Sequence, residues 1–168
     1  MPHLQLELPA KYPLAVKRDL AQQLGQLYGT IMQTSTDLVD VSFRELGEGN
    51  LWRCESTGPV PSAVLICDIR AGRPPEQRAR LGEAPMKACV AALDLDPLHF
   101  GVEFTQHTGD EIYRTVLIDG VVRGGLSPDW SPSEATAPLL ETLRAEHSRP
   151  SAKPQPVAAS ANASGGRP

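Results

Sequence analysis

The chain has 168 residues, room for one domain with a sizeable core plus extensions. Its formal charge of −4, without a Lys/Arg cluster, argues against nucleic acid or an anionic membrane as the main partner, and no apolar run approaches a membrane span. Cys54, Cys67 and Cys89 are odd in number and form no CxxC pair, and the N-terminus lacks the basic-then-apolar layout of a signal peptide. Together these predict a cytoplasmic protein with reduced thiols and no metal.

Leu4, Leu6 and Leu8 alternate with His3, Gln5 and Glu7, which predicts a half-buried strand that Pro9 and Pro13 end. Val16, Leu20, Leu24, Leu27 and Ile31 recur at spacings of three and four and stripe one helix face. Thr34-Ser35-Thr36 breaks that helix, and Val39, Val41 and Phe43 alternate as a second strand. The order then repeats as a strand over Ala63–Ile69, a helix over about Pro75–Leu93 and a strand over Phe100–Phe104. Pro85 inside the second helix removes one hydrogen bond and predicts a kink.

Thr115–Ile118 and Val121–Arg123 flank Asp119-Gly120, a strong two-residue hairpin signal. Ser131-Pro132-Ser133-Glu134 has capping-box spacing for a short helix to about Glu146, although Pro138 makes a start at Thr136 equally defensible. Residues 147–168 contain no aromatics and many Pro, Ala, Ser and Gly, and are read as a disordered tail.

Shifted by 61 residues, the first half lies on the second without a gap. Leu4 falls on Leu65, Leu20 on Leu81, Val41 on Val102, and Leu51-Trp52-Arg53 on Ile112-Tyr113-Arg114. One supersecondary unit is therefore built twice, repeat one over about 2–54 and repeat two over about 63–115, with the hairpin and short helix over 115–146. Each copy is a βαβ unit, too small to stand alone. Two copies predict an α/β domain over 1–146, a four-stranded sheet with two helices on one face. The other face is read as rich in apolar alternation, so oligomerisation is expected to bury it.

Duplication also makes each copy a control for the other. Arg70 and Arg73 lead into the second helix, whereas the first copy has Pro9 and Tyr12 there. Two guanidiniums beside a helix N-terminus suit a carboxylate; alternatively they are solvated, or pair with Asp68 and Glu76. Pro2 follows the initiator methionine directly and precedes a strand. With Met1 removed, its amine would titrate near pH 8 or below, as a base or nucleophile held in place by the sheet. Proline at this position is also common without any function.

Met-Pro leading into a strand, the duplicated unit, and Ile69-Arg70-Ala71-Gly72-Arg73 followed by Gln77 and Leu81 together resemble the tautomerase superfamily over residues 2–115. The resemblance is strongest to its two-repeat members, the cis-3-chloroacrylic acid dehalogenase-like group. It implies a homotrimer, no cofactor, a catalytic Pro2, and Arg70 and Arg73 as ligands of a small carboxylic acid. The group's helix-one histidine falls on Tyr28, equally readable as packing, and its last-strand tyrosine falls on Glu103, where a carboxylate would repel an acid substrate. Its water-activating glutamate has Glu111 as its nearest match, with Asp110 competing. The related decarboxylases' aspartate falls near Asp37, which also reads as a turn residue.

The resemblance implies proton transfer on a small 2-oxo or enol acid by Pro2. Hydration, dehalogenation or decarboxylation of a small unsaturated or 3-oxo acid is the alternative chemistry, and a non-catalytic trimeric scaffold or metabolite-binding protein the alternative class.

Overall fold

The structure is a computed structural model that describes residues 2–127, 129–134 and 136–148. The tail expected over 147–168 lies outside these residues from 149 onward, while His147, its first residue, closes the last helix. The first strand, β1 (His3–Leu8), buries every second residue, as the leucine alternation requires. Helix α1 (Leu14–Met32) crosses over the sheet and ends where Gln33 takes a left-handed conformation, φ 51°. Strand β2 (Asp40–Glu45) then returns parallel to β1. The second copy supplies β5 (Ala63–Arg70), α2 (Pro75–Leu93) and β6 (Phe100–His107), again with parallel strands. Between the copies lies the hairpin β3 (Trp52–Glu55) and β4 (Gly58–Pro61).

Strands β1 and β5 pair antiparallel, so the four-stranded sheet has the order β2-β1-β5-β6. Burial follows the repeat. Leu4 and Leu65, Leu6 and Cys67, Leu8 and Ile69, Leu20 and Leu81, and Tyr28 and Cys89 are each pairs 61 apart, and all are buried. Burial in this apolar core raises the Cys67 and Cys89 thiols to about 12, so both stay protonated. Helix α2 runs uninterrupted through Pro85, which is itself buried.

The hairpin β7 (Tyr113–Ile118) and β8 (Val121–Leu126) turns through Asp119 at φ 51° and Gly120 at φ 75°, two successive positive values as a tight Asp-Gly hairpin demands. The first copy is also followed by a hairpin, β3–β4, which opens on Trp52 as β7 opens on Tyr113, 61 residues later. The two are out of register beyond that point, since Trp52 pairs with Pro61 and Tyr113 with Leu126, so Asp119-Gly120 falls on Gly58-Pro59 inside β4. The chain closes with the final helix, α3 (Ala137–His147). It starts after Thr136, the later of the two expected starts. Leu140 and Leu143 are its buried residues.

The open face of the sheet is polar, contrary to the apolar alternation expected of it. His3 Nε2 lies 2.8 Å from Ser42 Oγ, Arg44 pairs with Glu7 at 3.0 Å, and Thr105 Oγ1 donates to Asp68 at 2.7 Å. His107 Nε2 lies 2.8 Å from the same carboxylate. Exposed apolar side chains cluster instead on the second hairpin, where Tyr113, Val121, Val122 and Leu126 are all more than half exposed, with Leu14 and Leu98 exposed singly elsewhere. Among the described residues no helix is long and apolar enough to cross a membrane.

Candidate active site

Topology brings four chain segments to one edge of the sheet. Antiparallel pairing sets His3 of β1 opposite Asp68 of β5, so the start of β1 meets the end of β5 and Pro2 lies beside Arg70. Crossover α1 runs back over the sheet and ends at that same edge, carrying Tyr28 and the Thr34–Leu38 connection. Strand β6 is parallel to β5, so it delivers the following loop there as well. The result is a cavity of about 120 Å³ lined by Pro2, Tyr28, Thr34, Leu38, Arg70, Arg73, Ile112 and Arg114. The Pro2 carbonyl accepts a hydrogen bond from Asp40 N at 3.1 Å, which fixes this residue to the sheet.

Among the described residues, three guanidiniums and no carboxylate line that cavity. Its summed field favours a small anion. Among the described residues, neither Arg70 nor Arg114 has an acidic partner; Asp68, the nearest expected one, is held by Thr105 and His107. Arg73 differs from both readings of a surface arginine. It is only 7% exposed, and its Nη1 donates to Met32 O at 2.5 Å while its guanidinium carbon lies over the Trp130 ring. Gln77 Nε2 donates to Ile31 O at 2.7 Å. These two side chains satisfy carbonyls that the end of α1 leaves unpaired. Burial pulls the Arg73 guanidinium down to about 10, with Arg70 adding to the fall, so it remains charged at neutral pH.

Tyr28 is 1% exposed, and burial pushes its phenol up to about 12 against the opposing pull of Arg73. It therefore presents a neutral hydroxyl, able to donate a hydrogen bond. Of the sequence-predicted residues, Pro2, Tyr28, Arg70 and Arg73 come together here. Glu103 stands on the open sheet face opposite Ile66, away from this cavity in the single chain. The Asp37 amide is capped by Ser35 Oγ at 3.2 Å, a turn arrangement, while its neighbours Thr34 and Leu38 form the wall. Glu111 accepts from Thr108 N at 2.9 Å in a capping box, and only the residues after it, Ile112 and Arg114, line the cavity. Asp110 is exposed.

Sequence reasoning missed Thr34, Leu38, Ile112 and Arg114. Arg114 falls on Arg53, so the sister copy offers no contrast in sequence; the two differ only in the structure, where the Arg53 guanidinium donates to the Leu98 carbonyl and Arg114 has no such partner among the described residues. The first copy does keep a sister cavity of about 350 Å³, with Pro9, Tyr12, Ala63, Leu95 and His99 each 61 residues from a counterpart in the site. It has no lining guanidinium, its acids are Asp94 and Asp96, and Ala63 N is spent on His99 O. Charge of one sign and a residue able to bear a free amine meet in only one of the two cavities. Among the described residues no cluster of His, Cys, Asp or Glu is placed to hold a metal ion.

No protein-family model matches the chain, and comparison with curated proteins yields no match. Solved structures do match. N1, a member of the cis-3-chloroacrylic acid dehalogenase family, superposes with a TM-score of 0.63 at 22% identity, over 85% of this chain and 99% of its own. A fused 4-OT, solved as a wild-type asymmetric trimer, gives 0.57 at 23% identity over 64% and 87%. Pt0534 inactivated by 2-oxo-3-pentynoate gives 0.58 at 16% over 66% and 89%. The chain has the tautomerase-superfamily fold.

Proposed function

We propose that this tautomerase-fold chain is a cofactor-independent enzyme of that superfamily, moving a proton between oxygen and carbon of a small 2-oxo or enol carboxylic acid. The observation that carries the reading is Pro2 at a cavity walled, among the described residues, by three guanidiniums and no carboxylate. Once Met1 is removed, the Pro2 nitrogen is a secondary amine in a desolvated cationic environment. Desolvation and the three positive charges each favour its neutral form. Arg70, Arg73 and Arg114 hold the substrate carboxylate and the charge that develops on the 2-oxygen. Tyr28 donates its neutral hydroxyl to the same region.

In ketonisation the Pro2 amine takes the enol proton, the oxygen lone pair collapses to the carbonyl, and the ammonium returns one proton to C3. The balance needs no oxidant, reductant or water. Hydration, dehalogenation or decarboxylation would add a carboxylate that activates water or takes up charge. Its expected bearer, Glu111, is occupied by the Thr108 amide outside the cavity, which favours proton transfer as the first reading. A homotrimer is proposed with it. Support comes from the exposed apolar hairpin and from a neighbour of the same fold that is itself a trimer.

The test is ketonisation of phenylenolpyruvate by the protein with Met1 removed, compared with Pro2→Ala and with a Met1-retaining form. Rate loss in both controls, with fold retained, supports the enzyme. Equal turnover with a blocked N-terminus contradicts it, and no turnover or labelling at all points to the scaffold reading.

A further inference from the structure

The segment that joins β8 to α3 lies outside the duplicated unit, yet it reaches back to the cavity wall. Ser127 N donates to Ile112 O at 2.9 Å, and the Asp129 carboxylate accepts from Gly109 N at 2.7 Å. Between them these contacts fasten the loop that carries Ile112 and leads to Arg114. The third contact is Trp130, whose ring centroid lies 4.4 Å from the Arg73 guanidinium carbon. Gly72 permits this approach. It sits at φ +92°, and a Cβ there would come within 3.2 Å of the Trp130 carbonyl.

Arg73 has little else to hold it. One Nη is committed to Met32 O, and its buried Nε has no partner among the described residues. Guanidinium N–H groups all lie in the plane of the group, and an indole ring beneath its central carbon confines the group without consuming a donor. The remaining in-plane donors are left for the cavity that Arg73 lines. We propose that Trp130 is a positioning residue for the site: it holds the Arg73 guanidinium in the plane that presents its free edge to a bound carboxylate. The inference rests on the reading of the cavity as a carboxylate site. It makes the non-repeated extension part of the functional unit.

Two measurements on the full chain test it. The first is calorimetric titration with malonate of the wild type, Trp130→Phe and Trp130→Ala. Loss of the stacked ring should weaken malonate roughly tenfold in the Ala variant, and the Phe variant should recover most of that loss. The second compares alkylation of Pro2 by 2-oxo-3-pentynoate with alkylation by 3-pentyn-2-one, an ynone with the same substituted alkyne that carries no carboxylate. Trp130→Ala should raise the half-saturating concentration of the acid about tenfold and leave the neutral ketone's rate within about twofold.

Unchanged malonate affinity in Trp130→Ala overturns the proposal, as does an equal slowing with both electrophiles, which is the signature of a collapsed fold. Wild-type protein that binds malonate but is not alkylated at Pro2 refutes the proton-transfer reading and leaves Trp130 to be judged by malonate affinity. Wild-type protein that binds no malonate overturns both.

Discussion

Arg70 and Arg73 are one turn apart in sequence and occupy different environments, so their substitutions should separate. Arg70 ends a strand, half exposed and without an acidic partner among the described residues, so Arg70→Ala should leave stability within about 0.5 kcal/mol. It should nonetheless cost on the order of 2–5 kcal/mol of transition-state stabilisation with acid substrates. Arg73→Ala should lose activity and stability together. It strands the Met32 carbonyl, a loss of about 1–3 kcal/mol that a urea titration would register. The sister residue Tyr12 is the control, and its replacement should leave acid turnover near wild type. Matching stability losses in Arg70→Ala and Arg73→Ala would contradict the distinction.

Titration offers a second residue-scale test. Tyr28 has a folded pKa of about 12 against an ordinary 10, so it binds its proton more tightly when folded. Its contribution to stability is complete below pH 10 and is lost as pH rises toward 12. Arg73, lowered to about 10 from 12.5, has the opposite sign: folding is penalised while it is charged, and the penalty lifts above pH 10. Tyr28→Phe removes the first effect together with the Tyr28 charge that holds Arg73 up, and both changes act in the same direction. Denaturant melts from pH 9 to 12 should therefore show the variant gaining on the wild type as pH rises. A constant gap across that range would refute the shift.

At the scale of elements, α2 over Pro75–Leu93 was legible to the residue because its apolar positions recur at helical spacing and Pro75 opens it. The β3–β4 hairpin was not legible. Its strands are four residues long, β3 is exposed throughout, and Pro59 and Pro61 argue against a strand, so no alternation marks them. The β7–β8 hairpin shows how the two cases differ, since Asp119-Gly120 announces it. Among site residues, Pro2, Arg70 and Arg73 stood out by their absence from the sister copy. Thr34, Leu38 and Ile112 carry no chemical signal, and only the convergence of four segments at one sheet edge reveals them. The polarity of the open sheet face was hidden because Val64 and Ile66 are apolar in sequence, while the pairs His3–Ser42, Glu7–Arg44 and Asp68–Thr105 form only once the strands align.

That correction moves the expected assembly surface from sheet to hairpin. Val122 is 70% exposed on β8, so Val122→Asp should shift subunits toward monomer in light scattering while circular dichroism stays unchanged. An assembly indifferent to this change would place the interface elsewhere. Gly72 tests the junction of repeat and extension. A Cβ at φ +92°, 3.2 Å from the Trp130 carbonyl, should cost about 1–3 kcal/mol in Gly72→Ala. A silent substitution would show that the segment can move aside.

For the whole molecule, the duplicated unit builds one core and two sister cavities, and sequence divergence has put a cationic wall beside only one of them, the one that contains Pro2. A trimer at micromolar concentration is expected, unchanged when the chain is cut after Ser148, because Leu140 and Leu143 of α3 remain in place. A monomer would refute the oligomer, and loss of assembly on truncation would assign structure to the tail.

Whether Pro2 carries a free, reactive amine in the anion site is decided by mass spectrometry of the whole protein treated with 2-oxo-3-pentynoate, followed by peptide mapping. Met1 should be absent, one adduct should form per chain and map to Pro2, and malonate should slow its formation. Retention of Met1, or an adduct confined to Cys54 with Pro2 unmodified, would contradict a free, reactive Pro2 amine.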